Sequence, residues 1–159
     1  MTTKKIRIYF AGPLFTQAEW QWNGRLAEAL RGHGFTVTLP QVRAKPMLYG
    51  REKFDAGVLF ADNVKGISES DVVLAIFDQP DPDSGTCWEC GYAYALGRPI
   101  VGLRTDIRAT GDDPDATVNL MLSRSCRAFL NVPFNRRDDL SWVSKKTTEL
   151  IRRAGSNSP

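Results

Sequence analysis

Short apolar runs alternate with longer amphipathic ones along the chain. Residues 6–10 are β-branched and aromatic and predict a first strand. Residues 16–31 predict a helix: Trp22, Leu26 and Leu30 recur every four residues on one face, and Gly32 and Gly34 stop it. Residues 35–39 predict a second strand, closed by Pro40. Residues 40–53 hold two prolines and Gly50 and read as a long irregular connection, a length that is usually functional and often a lid. A second helix is predicted over 54–68, with Phe60, Val64 and Ile67 on one side. Residues 71–77 predict a third strand, apolar on both faces as a central parallel strand should be. A third helix over 85–96 is stopped by Gly97, and 99–103 predict a fourth strand. Residues 104–117 are polar and read as a mobile connection, and 127–130 predict a short fifth strand. A last amphipathic helix spans 138–153, with Leu140, Val143, Thr147 and Leu150 at helical spacing and a frayed tail from Gly155.

This alternation predicts a doubly wound α/β fold with a parallel sheet and right-handed crossovers. Ligands of such folds bind outside the carboxyl ends of the strands, near the switch in strand order. Those ends lie after Phe10, Phe77 and Leu103.

A length of 159 residues fits one domain over 1–159, with no repeat or linker. Apolar residues are 42% and charged residues 25%, which excludes wholesale disorder and collagen-like repeats. The net charge of +3 is dispersed, with no Lys/Arg run interleaved with aromatics, so no nucleic-acid partner is expected. No apolar run approaches the roughly 20 residues that span a bilayer, and the N-terminal residues lack the apolar core of a signal peptide. No membrane partner and a cytoplasmic location are the expectations. The odd count of three cysteines, Cys87, Cys90 and Cys126, fits a reducing compartment.

Candidate chemistry gathers at two strand ends. In Tyr9-Phe10-Ala11-Gly12-Pro13-Leu14-Phe15, Gly12 lets backbone approach a ligand closely and Pro13 stiffens the turn. The segment also suits a plain strand-to-helix turn, and it has neither the three-glycine dinucleotide spacing nor a Walker loop. The second piece runs from Asp81 through Asp83-Ser84-Gly85-Thr86 to Glu89-Cys90-Gly91-Tyr92-Ala93. Asp83 or Ser84 can cap the helix that follows. Capping leaves Glu89 unexplained: it sits one turn into the helix among apolar neighbours, where a carboxylate is costly unless paired or used. The helix N-terminus favours its ionised form by roughly 0.3–1 kcal/mol, which suits a nucleophile. Two carboxylates in different surroundings, Glu89 and Asp83, suit glycosidic chemistry.

Cys87-Trp88-Glu89-Cys90 is formally a C-x-x-C, but no second pair exists, so no metal is expected and the two thiols read as small apolar groups sharing a helix face. Val118-Asn119-Leu120-Met121 reads as a capped turn. His33, the single histidine, lies between glycines and reads as a surface residue with no nucleophile to serve.

Together these pieces resemble the nucleoside 2-deoxyribosyltransferase family. The matching residues are Ile8-Tyr9-Phe10-Ala11-Gly12-Pro13, Asp83-Ser84-Gly85-Thr86 leading to Glu89-Cys90-Gly91-Tyr92-Ala93, and Asn119-Leu120-Met121, in the family's order over roughly residues 5 to 130. The resemblance implies a flavodoxin-like three-layer sandwich on a parallel five-stranded sheet, and an enzyme that moves 2-deoxyribose between purine or pyrimidine bases with retention. Glu89 falls where the family's nucleophile sits, and Asp83 where its second carboxylate contacts the substrate and assists proton transfer. Tyr9 matches the residue that orients the nucleophile. Gly12, Pro13, Phe15, Asn63, Ser84, Gly85 and Met121 fall at substrate-binding positions. Asn119 matches a side chain supplied to a neighbouring subunit's site, which implies a homo-oligomer. No cofactor is implied, and the partners are a deoxyribonucleoside and a free nucleobase. Some members carry aspartate where this chain has Asn63, with Asp62 beside it, and several end in an aromatic residue where this chain has Asn157-Ser158-Pro159.

Two other readings compete. An N-glycosidase would use the same nucleophile with water in place of the second base; nucleotide-cleaving relatives need a phosphate cradle after the first strand, and here that loop is apolar, which favours a free 5-hydroxyl. A non-catalytic flavodoxin-like binding module would leave Glu89 unexplained.

Overall fold

The computed structural model describes residues 5–112 and 116–156. Five parallel strands form one sheet in the order β2-β1-β3-β4-β5: β1 (Arg7–Ala11), β2 (Thr36–Thr38), β3 (Val72–Ile76), β4 (Ile100–Arg104) and β5 (Ala128–Asn131). The chain leaves β1 for β2 on one side, then returns past β1 to β3. The switch in strand order therefore lies between β1 and β3, where a crevice opens at their carboxyl ends.

Strand alternation divides the core. On β1, Ile8 and Phe10 pack on one face with α1 (Gln17–Gly32) and α6 (Leu140–Ser156); Tyr9 and Ala11 pack on the other. That second face carries α3 (Ala56–Glu69) and α4 (Ser84–Ala95), with α5 (Leu120–Ser125) beside α4. Both central strands, β3 and β4, are buried at all five positions. Thr16 and Glu19 form a capping box at the start of α1.

Three local expectations need correction. Residues 40–53 are not wholly irregular: α2 (Pro40–Leu48) is helical, with Pro40 at its first position, where a missing N–H costs nothing, and Gln41, Ala44 and Met47 buried on one face. Pro46 lies inside this helix and hid it from a reading based on breakers. The last helix does not fray at Gly155 but runs to Ser156, because Gly155 sits against Ile6 and Val72; residues 157–159 lie outside the described residues. Phe60 does not join the core. It is 59% exposed and packs on Trp88 of α4 at a ring separation of 5.5 Å.

Arg104 also breaks the polar-outside pattern. Its side chain is wholly buried and donates to the carbonyls of Phe77, Gln79 (3.0 Å) and Arg108 (2.7 Å). It thereby ties the loop after β3 to the loop after β4. Gln79, held by this contact, has φ +86°, a left-handed conformation that non-glycine residues adopt at a cost of order 1–3 kcal/mol. Among the described residues no helix is long and apolar enough to cross a membrane.

Candidate active site

Two loops meet at the β1–β3 crevice: residues 12–16 after β1, and 77–83 after β3. Glu19 holds them together. Its Oε2 accepts from the backbone N–H of Phe15 and of Thr16, both at 2.8 Å, and its Oε1 accepts from Gln79 Nε2 at 2.8 Å. Burial pushes this carboxyl up, but the bonds from Thr16 and Phe15 outweigh it and hold Glu19 below its ordinary value.

Tyr9 is the β1 residue that points from the crevice end toward α4. Its ring is fully buried, and its hydroxyl donates to Glu89 Oε1 at 2.5 Å across 80 residues of sequence. The ring has this position because α3 presents Gly66 to it: a Cβ on Gly66 would stand 2.9 Å from Tyr9 Cδ2 and Cε2. Glu89, half-buried on α4, is pushed up to about 7. Burial is the main cause, the bond from Tyr9 opposes it, and the charge of Asp83 adds to it. The helix N-terminus favours the ionised form of Glu89, and burial works against it. Burial, and then the Glu89 charge, carry the Tyr9 hydroxyl well above the ordinary tyrosine range.

Asp83 is the N-cap of α4. Its Oδ2 accepts from the Thr86 N–H at 2.8 Å and from Thr86 Oγ1 at 3.1 Å. The capping reading and the site reading hold together, since Asp83 also lines the cavity that contains Glu89. That cavity, about 210 Å³, is walled by Gly12, Leu14 and Phe15 from the first loop, Pro40 and Ala44 from α2, Leu59 and Asn63 from α3, and Gly85 and Thr86 from α4. Gly12 keeps that wall close-packed: a Cβ there would lie 3.1 Å from Ile76 Cγ1, so the isoleucine would have to shift.

Of the residues singled out in the sequence, Tyr9, Gly12, Phe15, Asn63, Asp83, Gly85 and Glu89 converge on this crevice. Pro13 does not line the cavity: it is buried, and its carbonyl accepts from Asn23 Nδ2 at 2.8 Å, so it shapes the turn from below. Ser84 does not line it either; it opens α4 from an exposed position. Asn119 and Met121 lie in a different groove of about 500 Å³ between α4 and α5. Cys87, Cys90, Gly91 and Tyr94 face that groove while Gly85, Thr86 and Glu89 face the cavity, so the body of α4 separates the two within one chain. Asn119 caps α5, accepting from the Met121 N–H at 2.9 Å, and Met121 is 71% exposed.

Asp62, the neighbour of Asn63, points elsewhere. Arg43 of α2 donates to it from Nε at 3.0 Å and to Glu52 from Nη1 at 3.0 Å. The sequence reading missed Leu14, Pro40, Ala44 and Leu59. The 41–44–47 spacing of buried α2 residues was the available signal, masked by two prolines. The three thiols are free, and burial pushes Cys126 up to about 12 and Cys90 higher still, which suppresses thiolate chemistry. Among the described residues no group of three His, Cys, Asp or Glu side chains could hold a metal ion.

Three proteins set this geometry among relatives. An uncharacterized protein of Ureaplasma parvum is 33% identical over 107 residues, covering 62% of this chain and 65% of its own length, so the match spans just under two thirds of that relative. A conserved protein from Enterococcus faecalis V583 superposes with a TM-score of 0.71 at 25% identity, covering 94% of this chain and 99% of that one. A 2-deoxyribosyltransferase from Bacillus psychrosaccharolyticus does so with a TM-score of 0.65 at 25% identity, covering 87% and 90%. The family model described as nucleoside 2-deoxyribosyltransferase matches residues 8–121, a span that carries Tyr9, Asn63, Asp83, Glu89 and Asn119. The chain belongs to the nucleoside 2-deoxyribosyltransferase family.

Proposed function

We propose that this protein transfers 2-deoxyribose from one nucleobase to another through a covalent bond to Glu89. The observation that carries the reading is the Tyr9–Glu89 hydrogen bond at 2.5 Å inside a cavity at the switch point of the sheet. A buried tyrosine that donates to one carboxylate oxygen leaves the other to act. In the first half-reaction Glu89 attacks the anomeric carbon as the bond to the base nitrogen breaks. The electron pair leaves with the base, which takes up a proton. In the second, a ring nitrogen of a new base attacks the same carbon, the carbon–oxygen bond to Glu89 breaks with its electron pair returning to the carboxylate, and the incoming base gives up its N–H proton to Asp83, so configuration is retained. Lacking a 2-hydroxyl, the sugar reaches an oxocarbenium-like transition state readily, and a carboxylate stabilises it. Asp83, the cavity's other carboxyl, serves the departing base and the sugar, and the Asn63 amide serves as a contact to the substrate. Asp62 is left out, since Arg43 holds it.

Asn119 and Met121 act, in this reading, on a neighbouring subunit's cavity. The same groove carries Tyr94 of α4, 65% exposed, and Leu120, 49% exposed, opens the neighbouring α5, a surface that a second copy of the chain would cover.

A nucleoside suits the site better than a nucleotide. The N–H groups of Phe15 and Thr16, at the entry to α1, would be the natural cradle for a 5-phosphate, and Glu19 already occupies both. Transfer suits it better than hydrolysis, because Leu14, Phe15, Pro40, Ala44 and Leu59 offer largely apolar walls against which a second nucleobase can rest.

The test incubates the protein with 2-deoxyinosine and adenine and separates the products. New 2-deoxyadenosine, absent with Glu89→Ala, supports the reading. Hypoxanthine and free sugar alone would make the protein a hydrolase, and no change would make it a binding module.

A further inference from the structure

The Glu89 cavity is small for its proposed substrate. At about 210 Å³ it falls below the roughly 300–1,000 Å³ of most small-molecule sites, so part of a nucleoside seated at Glu89 must extend beyond it. A second compartment, about 490 Å³, shares two of its walls, Leu14 and Phe15. It lies between the start of α1 and the end of α2, with Trp20 and Tyr49 as its aromatic sides and Leu48 as an aliphatic one.

Its construction is specific. The Trp20 indole N–H donates to the Leu14 carbonyl, which fixes the ring against the loop that also walls the Glu89 cavity. Tyr49 meets Trp20 edge to face, with centroids 6.1 Å apart and planes at 79°. Tyr49 is 66% exposed and Phe15 75% exposed, so these rings line an open space rather than fill a core. Gln17 and Gln21, with no hydrogen bond from either side chain among the described residues, supply amides at the rim. An apolar, aromatic-sided space with polar edges takes a flat ring or an alkyl group.

We propose that this compartment is an extension of the base site, one that accepts an aromatic or alkyl substituent on the exocyclic amine of a purine. The protein's acceptors would then include N6-substituted adenines as well as plain bases. The inference rests on the deoxyribosyl-transfer reading, with the base lying against Phe15 and its substituent passing into the space at Trp20 and Tyr49. No covalent step is added to the mechanism.

The experiment compares adenine with N6-benzyladenine as acceptor from 2-deoxyinosine. Wild type is expected to use N6-benzyladenine with a kcat/KM at least equal to that for adenine. Tyr49→Ala, at an exposed position outside the Glu89 cavity, is expected to lower kcat/KM for N6-benzyladenine about tenfold or more and to leave adenine within about twofold. Trp20→Ala is avoided because it also releases the Leu14 carbonyl. Calorimetric binding of the two free bases to wild type and Tyr49→Ala separates this inference from the transfer reading. Tighter binding of N6-benzyladenine that weakens in the variant supports the compartment even if no sugar moves. Transfer to adenine with rejection of N6-benzyladenine, or equal losses for both bases in Tyr49→Ala, overturns it.

Discussion

Removing the Tyr9 hydroxyl should move the pH dependence of the reaction without dismantling the site. Tyr9→Phe keeps the buried ring and its contact with Gly66, and deletes only the donor to Glu89 Oε1. A hydrogen bond to a charged group contributes roughly 1.5–3 kcal/mol, and one pKa unit corresponds to about 1.4 kcal/mol. Glu89 stands at about 7 with the bond in place. Without it the carboxyl should titrate about 1–2 units higher. The nucleophile must be ionised, so wild-type kcat/KM should rise with pH along a limb centred near 7. In the variant the limb should sit near 8–9, with a loss of about 5- to 50-fold at pH 7 that is largely recovered at about pH 10. Asp83→Asn supplies the opposite sign. The Asp83 charge helps to hold Glu89 up, so its neutralisation should move the limb below 7, while asparagine still caps α4. The assay is initial-rate base exchange from 2-deoxyinosine across pH 5–10. A limb that stays put in Tyr9→Phe, or moves the same way in both variants, would refute the electrostatic account of Glu89.

Three further perturbations test the frame around the site. Glu89→Gln should abolish transfer yet stabilise the fold in a pH-dependent way: the folded value of about 7 lies above the ordinary 4.5, so the cost of the native carboxyl is small at pH 4.5, builds as pH rises from 4.5 to 7, and levels off at about 3 kcal/mol by pH 8. Urea midpoints at pH 4.5 and pH 8 check this, and an equal gain at both would sink it. Gly66→Ala would gain roughly 0.5–1 kcal/mol as an ordinary helix substitution, but its methyl group meets the immobile Tyr9 ring, so a net loss of about 1–2 kcal/mol and a slower transfer are expected. Higher stability with full activity would contradict the packing. Arg43→Ala releases Asp62 and Glu52 and loosens α2 against α3, both of which wall the cavity. KM should rise more than kcat falls; wild-type KM is expected to rise between about 20 and 500 mM NaCl as the ion pairs are screened, and the variant's KM to stay flat. Equal salt responses would remove the ion pairs from the account.

Local periodicity carried the sheet and most helices. The two-residue alternation of β1 already sends Tyr9 and Ala11 to one face and Ile8 and Phe10 to the other, and the unbroken apolar run of β3 already places it at the centre. Asp83 as a cap and Glu89 on the next turn follow from side-chain chemistry within seven residues. Tertiary structure decided the rest. It buried Arg104 against carbonyls from two loops, and it set Asn119 on the opposite side of α4 from Glu89. It made a helix of 40–48 despite Pro46, because α2 has a buried face to pack. It also set the burial that raises Glu89. The cause is physical: a helix dipole is local and legible in sequence, whereas desolvation depends on what packs nearby, and here the Glu89 carboxyl meets a tyrosine 80 residues away.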